Sequence, residues 1–288
     1  MAAQVLAAFA ALFVWWFSTG LVLLLNGLPR RSYRWSTLGA SLLAGVAVYV
    51  VVATGAQTTP FAAHAAFLAG VVLWGWHELT FLQGTIAGPR KTACPGDARG
   101  RRRFVLAAQT LLYHELAILA TVGLLLAVTW SEPNKVGLWT FLILFGMRLS
   151  AKLNVFLGVP NLSEEFLPPH LGFLKSYFGR KPMNGLFPLS ITLSTLLAAY
   201  VFHLAFAAEA SAFEAVGYTL LGALVALGTL EHWLLVLPLP DAALWRWALR
   251  EGDPGDDGAL YRPGLAPGPS TAASRATLSA VPQEGRLP

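Results

Sequence analysis

The sequence predicts an all-α fold, a polytopic integral membrane bundle of about seven transmembrane helices with a periplasmic N-terminus and a cytoplasmic C-terminus. Three observations carry that reading. Hydrophobic residues make up 56% of the chain and charged residues only 12%, with positive mean hydropathy, which lies well away from the usual soluble mixture. Seven runs have the ~20-residue apolar length that crosses ~30 Å of hydrocarbon. Basic residues crowd into alternate connections between those runs.

In chain order the runs cover residues 5–25, 36–55, 61–82, 104–128, 136–157, 184–206 and 214–237. The first has no basic residue ahead of its apolar core and carries Arg30 and Arg31 behind it. That is the polarity of a retained anchor, not of a cleaved signal peptide. Only Gly55 to Pro60 separate the second run from the third, and the fifth is interrupted by Arg148 and Lys152. Residues 1–248 therefore read as one transmembrane domain without tandem repeats. From 249 to 288 the chain turns to Gly, Pro, Ser and Ala, with too few large apolar residues to pack, and reads as a disordered cytoplasmic tail.

Orientation follows from the charges. Arg30, Arg31 and Arg34 lie in or beside the first connection, Arg90, Lys91, Arg99, Arg101, Arg102 and Arg103 in or beside the third, and Lys175, Arg180 and Lys181 in the fifth. Lys135 is the only basic residue in the even-numbered connections, so the positive-inside rule puts the odd ones in the cytoplasm. The pI near 9.6 is thus a consequence of topology. It does not indicate nucleic acid, because the arginines flank spans instead of interleaving with stacking aromatics. Cys94 is the single cysteine, which excludes a disulfide framework or a multi-cysteine metal site within one chain.

Three adjacent pairs stand inside apolar runs: His77-Glu78, His114-Glu115 and, reversed, Glu231-His232. An ionisable group at membrane depth costs roughly 2.5–3.5 kcal/mol even on lenient scales, so such groups face a bundle interior and pair, bind or relay. At 1.5 Å per residue, His77 lies roughly 24 Å from the outer end of its span and Glu231 roughly 25 Å along the seventh. His114 lies roughly 15 Å inward from the cytoplasmic end of the fourth, so all three pairs share the inner half of the membrane.

Several chemistries want this set. His77, His114 and His232 are candidate ligands of a metal ion or of the central metal of a tetrapyrrole, with Trp74, Trp76, Tyr113 and Trp233 close by to line a macrocycle. Glu78, Glu115 and Glu231 are candidate co-ligands or acceptors that orient the imidazoles. A proton or ion path would use the same residues. So would plain fastening between helices, at roughly 0.6–2 kcal/mol per contact. Arg148, Ser150, Lys152 and Asn154 interrupt the fifth span. Arg148 and Lys152, four residues apart, share a face and are candidates to balance the carboxylates, with Asn154 beside them. Lys152 is also placed to snorkel to the headgroups. After this span, Pro160, Glu164, Glu165, Pro168, Pro169 and His170 with Phe166, Phe173, Tyr177 and Phe178 predict a short interfacial segment whose carboxylates are solvated. His64 and His203 read as isolated residues of the outer half.

Five stretches carry a resemblance. They are Phe13-Val-Trp-Trp-Phe-Ser-Thr-Gly20, Tyr113-His-Glu-Leu-Ala117, Gly137-Leu-Trp-Thr-Phe141, Met147 to Asn161, and Glu231-His-Trp233 through Trp245-Arg-Trp247. Over residues 5–248 the chain resembles the PuhE family of photosynthetic complex assembly proteins. The resemblance implies a multi-pass protein of the bacterial inner membrane, cytoplasmic or intracytoplasmic. It implies a link to reaction-centre and light-harvesting subunits and to bacteriochlorophyll supply, and it carries no established active site. The expected function is assistance in assembling these complexes, with a metal ion or bacteriochlorophyll-type tetrapyrrole as candidate cofactor. A membrane metal-dependent enzyme acting on a tetrapyrrole or lipid intermediate is the alternative of a different class, and a cofactor-free scaffold for partner helices is the third.

Overall fold

Each apolar run folds as one α-helix in a computed structural model, which describes residues 1–249 apart from Ser163, Pro238 and Pro240 and the side chains of Glu165, Asp241 and Ala242. The helices are α1 (Ala2–Asn26), α2 (Tyr33–Thr54), α3 (Pro60–Leu82), α4 (Gly100–Thr129), α5 (Val136–Leu157), α6 (Leu186–Ala205) and α7 (Ala212–Leu234). All seven are long and apolar enough to cross a bilayer, and the described residues contain no strand. This is the architecture of a multi-pass membrane protein. The tail expected to be disordered lies outside the described residues from Arg250 onward.

Local chemistry explains where the helices start and stop. At α3 the Thr59 side chain accepts from the Ala62 amide, and Pro60 occupies the first helical position, where its missing N–H costs nothing. Ser211 and Glu214 form a reciprocal capping box on α7. Gly158 ends α5 at φ +121, a conformation that a side chain would strain and where a Cβ would collide with Lys181. The second helix begins at Tyr33, earlier than the apolar run suggested, because the turn Arg30–Ser32 leads directly into it.

α3 occupies the centre, packed by α1, α2, α5 and α7, while α6 leans on α7. Small residues allow this. A Cβ on Gly70 of α3 would lie 2.8 Å from the Gly137 carbonyl of α5, and one on Gly137 would lie 2.9 Å from the Ala66 carbonyl. Ala62, Ala66 and Gly70 thus form a stripe at four-residue spacing along which two backbones touch. By contrast α1, α2, α4 and α6 expose large apolar side chains such as Phe9, Leu42, Leu119 and Leu196, as lipid-facing surfaces do.

Two asparagines tie the ends. Near one end Asn134 donates to the carbonyls of Thr54 and Ala62 and accepts from the Val136 amide, which joins α2, α3 and α5. Near the other, Asn184 donates to the carbonyls of Asn154 and Gly158 and accepts from the amides of Leu186 and Phe187, which joins α5 to α6. The connections 27–32, 83–99 and 158–185 meet at that second end. Tyr177 of the third 3-10 helix (Pro169–Tyr177) receives Arg90 on its hydroxyl at 2.6 Å and Arg103 on its carbonyl at 2.8 Å. α4 is about 45 Å long at 1.5 Å per residue, so about 15 Å of it extends past a ~30 Å hydrocarbon layer. The 83–99 connection folds back along this part: Ala87 accepts from the His114 amide at 2.8 Å, and Gly88 lies against the backbone of Gln109 and Thr110 with no space for a Cβ.

After α7 the chain returns to α1. Trp245 donates to the Trp16 carbonyl, the Trp16 indole donates to the Leu244 carbonyl, and the Trp247 ring stacks on Phe17. Ala248 and Leu249 complete that aromatic clasp, so the folded domain includes Leu249, which the sequence boundary assigned to the tail. Trp side chains with one polar edge suit a bilayer boundary.

Candidate functional site

The fifth helix organises the polar interior. Residues two apart on a helix point about 200° from one another, and residues four apart share a face. Arg148 and Lys152 therefore face one way while Ser150 and Asn154 face the other. On the first face Arg148 pairs with Glu78 of α3 at 3.0 Å, and Lys152 pairs with Glu115 of α4 at 2.8 Å. On the second face the Ser150 hydroxyl meets His232 of α7 at 2.9 Å and Ser190 of α6 at 3.0 Å, and the Asn154 amide donates to Ser190 at 3.0 Å. Four interrupting residues thus reach four different helices.

Arg148 and Lys152 each meet a carboxylate, and Lys152 holds Glu115 instead of snorkelling. The reason is geometric: Glu115 faces α5 at a depth that the lysine reaches, and the charged pair avoids two separate desolvation penalties. Asn154 departs from its expected part. Its amide donates to the Ser150 carbonyl and to Ser190, so it faces no carboxylate. Glu231 accepts from the Trp15 indole at 2.7 Å and lies within electrostatic reach of Arg148. Three carboxylates consequently share two cations.

All three histidines are buried, at 1% exposure or less. His232 is saturated. Its Nδ1 faces the Gly228 carbonyl at 2.8 Å, and a carbonyl can only accept, so Nδ1 carries the proton. In neutral His232 the Nε2 is then an acceptor for the Ser150 hydroxyl.

His77 and His114 are different. His77 Nε2 contacts the Thr121 hydroxyl at 2.9 Å, but its Nδ1 is buried without a partner among the described residues. Neither nitrogen of His114 has one. The two rings stand edge to face with centroids 6.2 Å apart, and Phe81 packs on His114 at 4.7 Å. Glu78 Oε1 is also buried and unpaired. Each such atom costs about 1–3 kcal/mol relative to a satisfied one.

A single centre ligated by all three imidazoles does not form. His232 lies on the opposite face of α5 with both nitrogens engaged, and among the described residues no three His, Cys, Asp or Glu side chains are gathered around one metal position. What comes together is narrower: His77, His114, Glu78 and Glu115 with the two cations, between α3, α4 and α5. The group can ligate a soft or borderline metal through imidazole nitrogen, supply an axial ligand, or exchange protons.

Sequence reasoning missed Trp15, Thr121 and Ser190, the partners of Glu231, His77 and Ser150. Small hydroxyls and an indole inside apolar runs are the only signal they give. Glu164 of the interfacial segment is not simply solvated, because it pairs with Arg180 at 2.6 Å and Lys175 at 3.4 Å. His64 caps its own turn against the Pro60 carbonyl.

Seven membrane-length helices closed around paired charges and imidazoles define a polytopic membrane protein with a polar core near one end. The chain belongs to the family described as "Protein of unknown function (DUF3623)", whose profile matches residues 1–255. It is similar to a protein of Rhodobacter capsulatus described as an uncharacterized 30.4 kDa protein in the puhA 5' region. Identity is 42% over 270 residues, covering 91% of this chain and 97% of that protein. No solved structure matches it significantly.

Proposed function

We propose that the protein is an assembly factor for the bacterial reaction-centre and light-harvesting complex, of the PuhE type, and that the His77–His114 cluster binds a metal ion or the central metal of a bacteriochlorophyll-type tetrapyrrole. The puhA locus of the R. capsulatus relative supports a role in photosynthesis. The chain then sits in the bacterial inner membrane with its odd connections and C-terminus in the cytoplasm, as the charge bias favours.

The observation that carries the binding reading is the pair of buried imidazoles with three unpartnered nitrogens beside two ion pairs. A protein core satisfies such atoms unless function needs them free. His114 is covered by Phe81 and by residues near Ala87, so a macrocycle enters only when the 83–99 connection lifts. In this reading His77 and His114 supply ligands, and the pairs of Glu78 with Arg148 and Glu115 with Lys152 keep the surroundings of the site neutral. His232 and Asn154 support α5.

The test is elemental analysis with an absorption spectrum on protein purified from a pigment-replete host, compared with a folded His77→Ala/His114→Ala variant. Near-stoichiometric metal or pigment that disappears in the variant supports the reading. A cofactor-free wild type favours instead a scaffold for partner helices, for which the satisfied His232 and the two ion pairs act as fasteners.

A further inference from the structure

A second polar site lies where the connections 27–32, 83–99 and 158–185 meet. A cavity of about 330 Å³ opens there between Arg30, Tyr33, Gln83, Lys91, His170 and Phe173. Gln83 is the residue after α3 and Tyr33 is the first of α2, so the cavity sits at the boundary of the spans. Its chemistry is one-sided. Arg30 and Lys91 bring two cations, none of its lining residues is a carboxylate, and among the described residues neither cation forms a salt bridge.

Two buried nitrogens point the same way. Gln83 is 7% exposed; its carbonyl accepts from Thr37 at 2.8 Å, and its buried Nε2 has no acceptor among the described residues. His170 Nε2 is likewise buried and has no partner among the described residues. Gly84, at φ +74, lets the backbone pass close to this ring, since a Cβ would lie 3.1 Å from it. Two cations, the unused Gln83 N–H and a His170 nitrogen that becomes a donor on protonation, set around a space without carboxylates, form an anion receptor, and Phe173 and Leu171 add an apolar wall.

We propose that this cavity binds a phosphate group, and that its source is the headgroup of an anionic phospholipid in the leaflet on that side. Position decides between the two sources. A basic pocket between helix ends at the bilayer boundary meets lipid phosphate at a local concentration that no free anion matches, and such pockets recognise anionic headgroups. The cavity shares the 83–99 connection, through Ala87, with the cover of His114, but its test does not depend on a cofactor.

The site also carries a pH signature. Burial lowers the His170 pKa, and the neighbouring Arg30 and Lys91 charges lower it further. The groups facing its ring are Arg30, Tyr33, Lys91, the Gln83 amide and the Leu82 carbonyl. A bound phosphate reverses that field and draws a proton onto the imidazole, so affinity rises as pH falls.

The experiment is native mass spectrometry on the full chain released from nanodiscs of phosphatidylcholine with phosphatidylglycerol. Four variants are compared: Arg30→Gln/Lys91→Gln, Gln83→Leu, His170→Gln, and the control Arg101→Gln/Arg102→Gln, which removes equal charge from exposed residues outside the cavity. Wild type and control retain phosphatidylglycerol. The Arg30/Lys91 variant loses at least tenfold and Gln83→Leu about threefold, with thermal unfolding midpoints in detergent confirming that all are folded. Retention in wild type increases from pH about 8 to about 6 and flattens in His170→Gln. Equal retention by the Arg30/Lys91 variant and wild type overturns the site. Binding of inorganic phosphate without preference for phosphatidylglycerol over phosphatidylcholine overturns the lipid as its source.

Discussion

At the scale of single residues, what matters is which buried polar atoms have partners. Lys152 and Glu115 expose 19% and 24% of their side chains, so each depends on the other. Lys152→Met should cost about 1–3 kcal/mol by leaving a carboxylate unpaired, and Lys152→Met/Glu115→Leu should recover most of it. Thermal unfolding of Lys152→Met, Glu115→Leu and the double variant checks this, and additive losses would mean that the pair is not coupled. Arg148→Met should cost a similar amount, because it leaves the Glu78 carboxylate, only 14% exposed, unpaired at membrane depth. His232→Leu should destabilise by about 1–2 kcal/mol because two hydrogen bonds go. His114→Leu should leave the unfolding midpoint unchanged or raise it, since no side-chain hydrogen bond is lost, while removing any bound cofactor. A residue that lowers stability while enabling function has this signature. At the boundary, the sign of the His170 effect is fixed by its lowered pKa. The unfolded chain takes up the proton first as pH falls below ~6.5, so stability declines with acidification, and His170→Gln should remove that part of the slope.

At the scale of elements, α3 and α5 form the contact on which the site is built. Gly70 and Gly137 let their backbones approach so closely that a side chain at either must push the helices apart. Gly70→Leu should therefore cost about 3 kcal/mol or more and weaken the Arg148–Glu78 pair beyond it, whereas Gly45→Ala, which meets no neighbour within 4 Å, should be neutral. Yield of folded protein in detergent and the unfolding midpoint would distinguish them. Equal effects at Gly70 and Gly45 would remove the close approach as a cause. Helices were the easiest features to read from sequence, because a bilayer demands ~20 apolar residues and internal backbone hydrogen bonding whatever the neighbours do. The 83–99 connection was not legible. It is rich in Gly and Pro, and its contact with α4 depends on Gly88 fitting against a helix twenty residues away in sequence.

At the scale of the whole molecule, the charge bias and the meeting of three connections at one end make orientation testable with the native cysteine. Cys94 lies on the 83–99 connection and is partly accessible. An impermeant thiol reagent should label it in inverted vesicles and leave it unlabelled in intact spheroplasts, while Gln57→Cys in a Cys94→Ser background should give the opposite result. The reverse pattern would invert the topology. The whole-molecule clasp between α1 and residues 241–249 ties the segment after α7 to the first helix, so truncation before Trp245 should destabilise α1 and with it the Trp15–Glu231 bond.

By itself the sequence determined the seven helices, because hydrophobic length and axial rise are properties of a segment alone. It also placed Arg148 and Lys152 on one face, through a four-residue spacing that needs no partner. Only the tertiary structure decided that those cations take Glu78 and Glu115, that His77 meets His114 while His232 turns to Ser150, and that Arg30, Gln83, Lys91 and His170 enclose one cavity. These depend on helix rotation and packing order. Both are set by which small residues let backbones approach, as at Gly70 and Gly137, and that is a property of pairs of segments that no single segment carries.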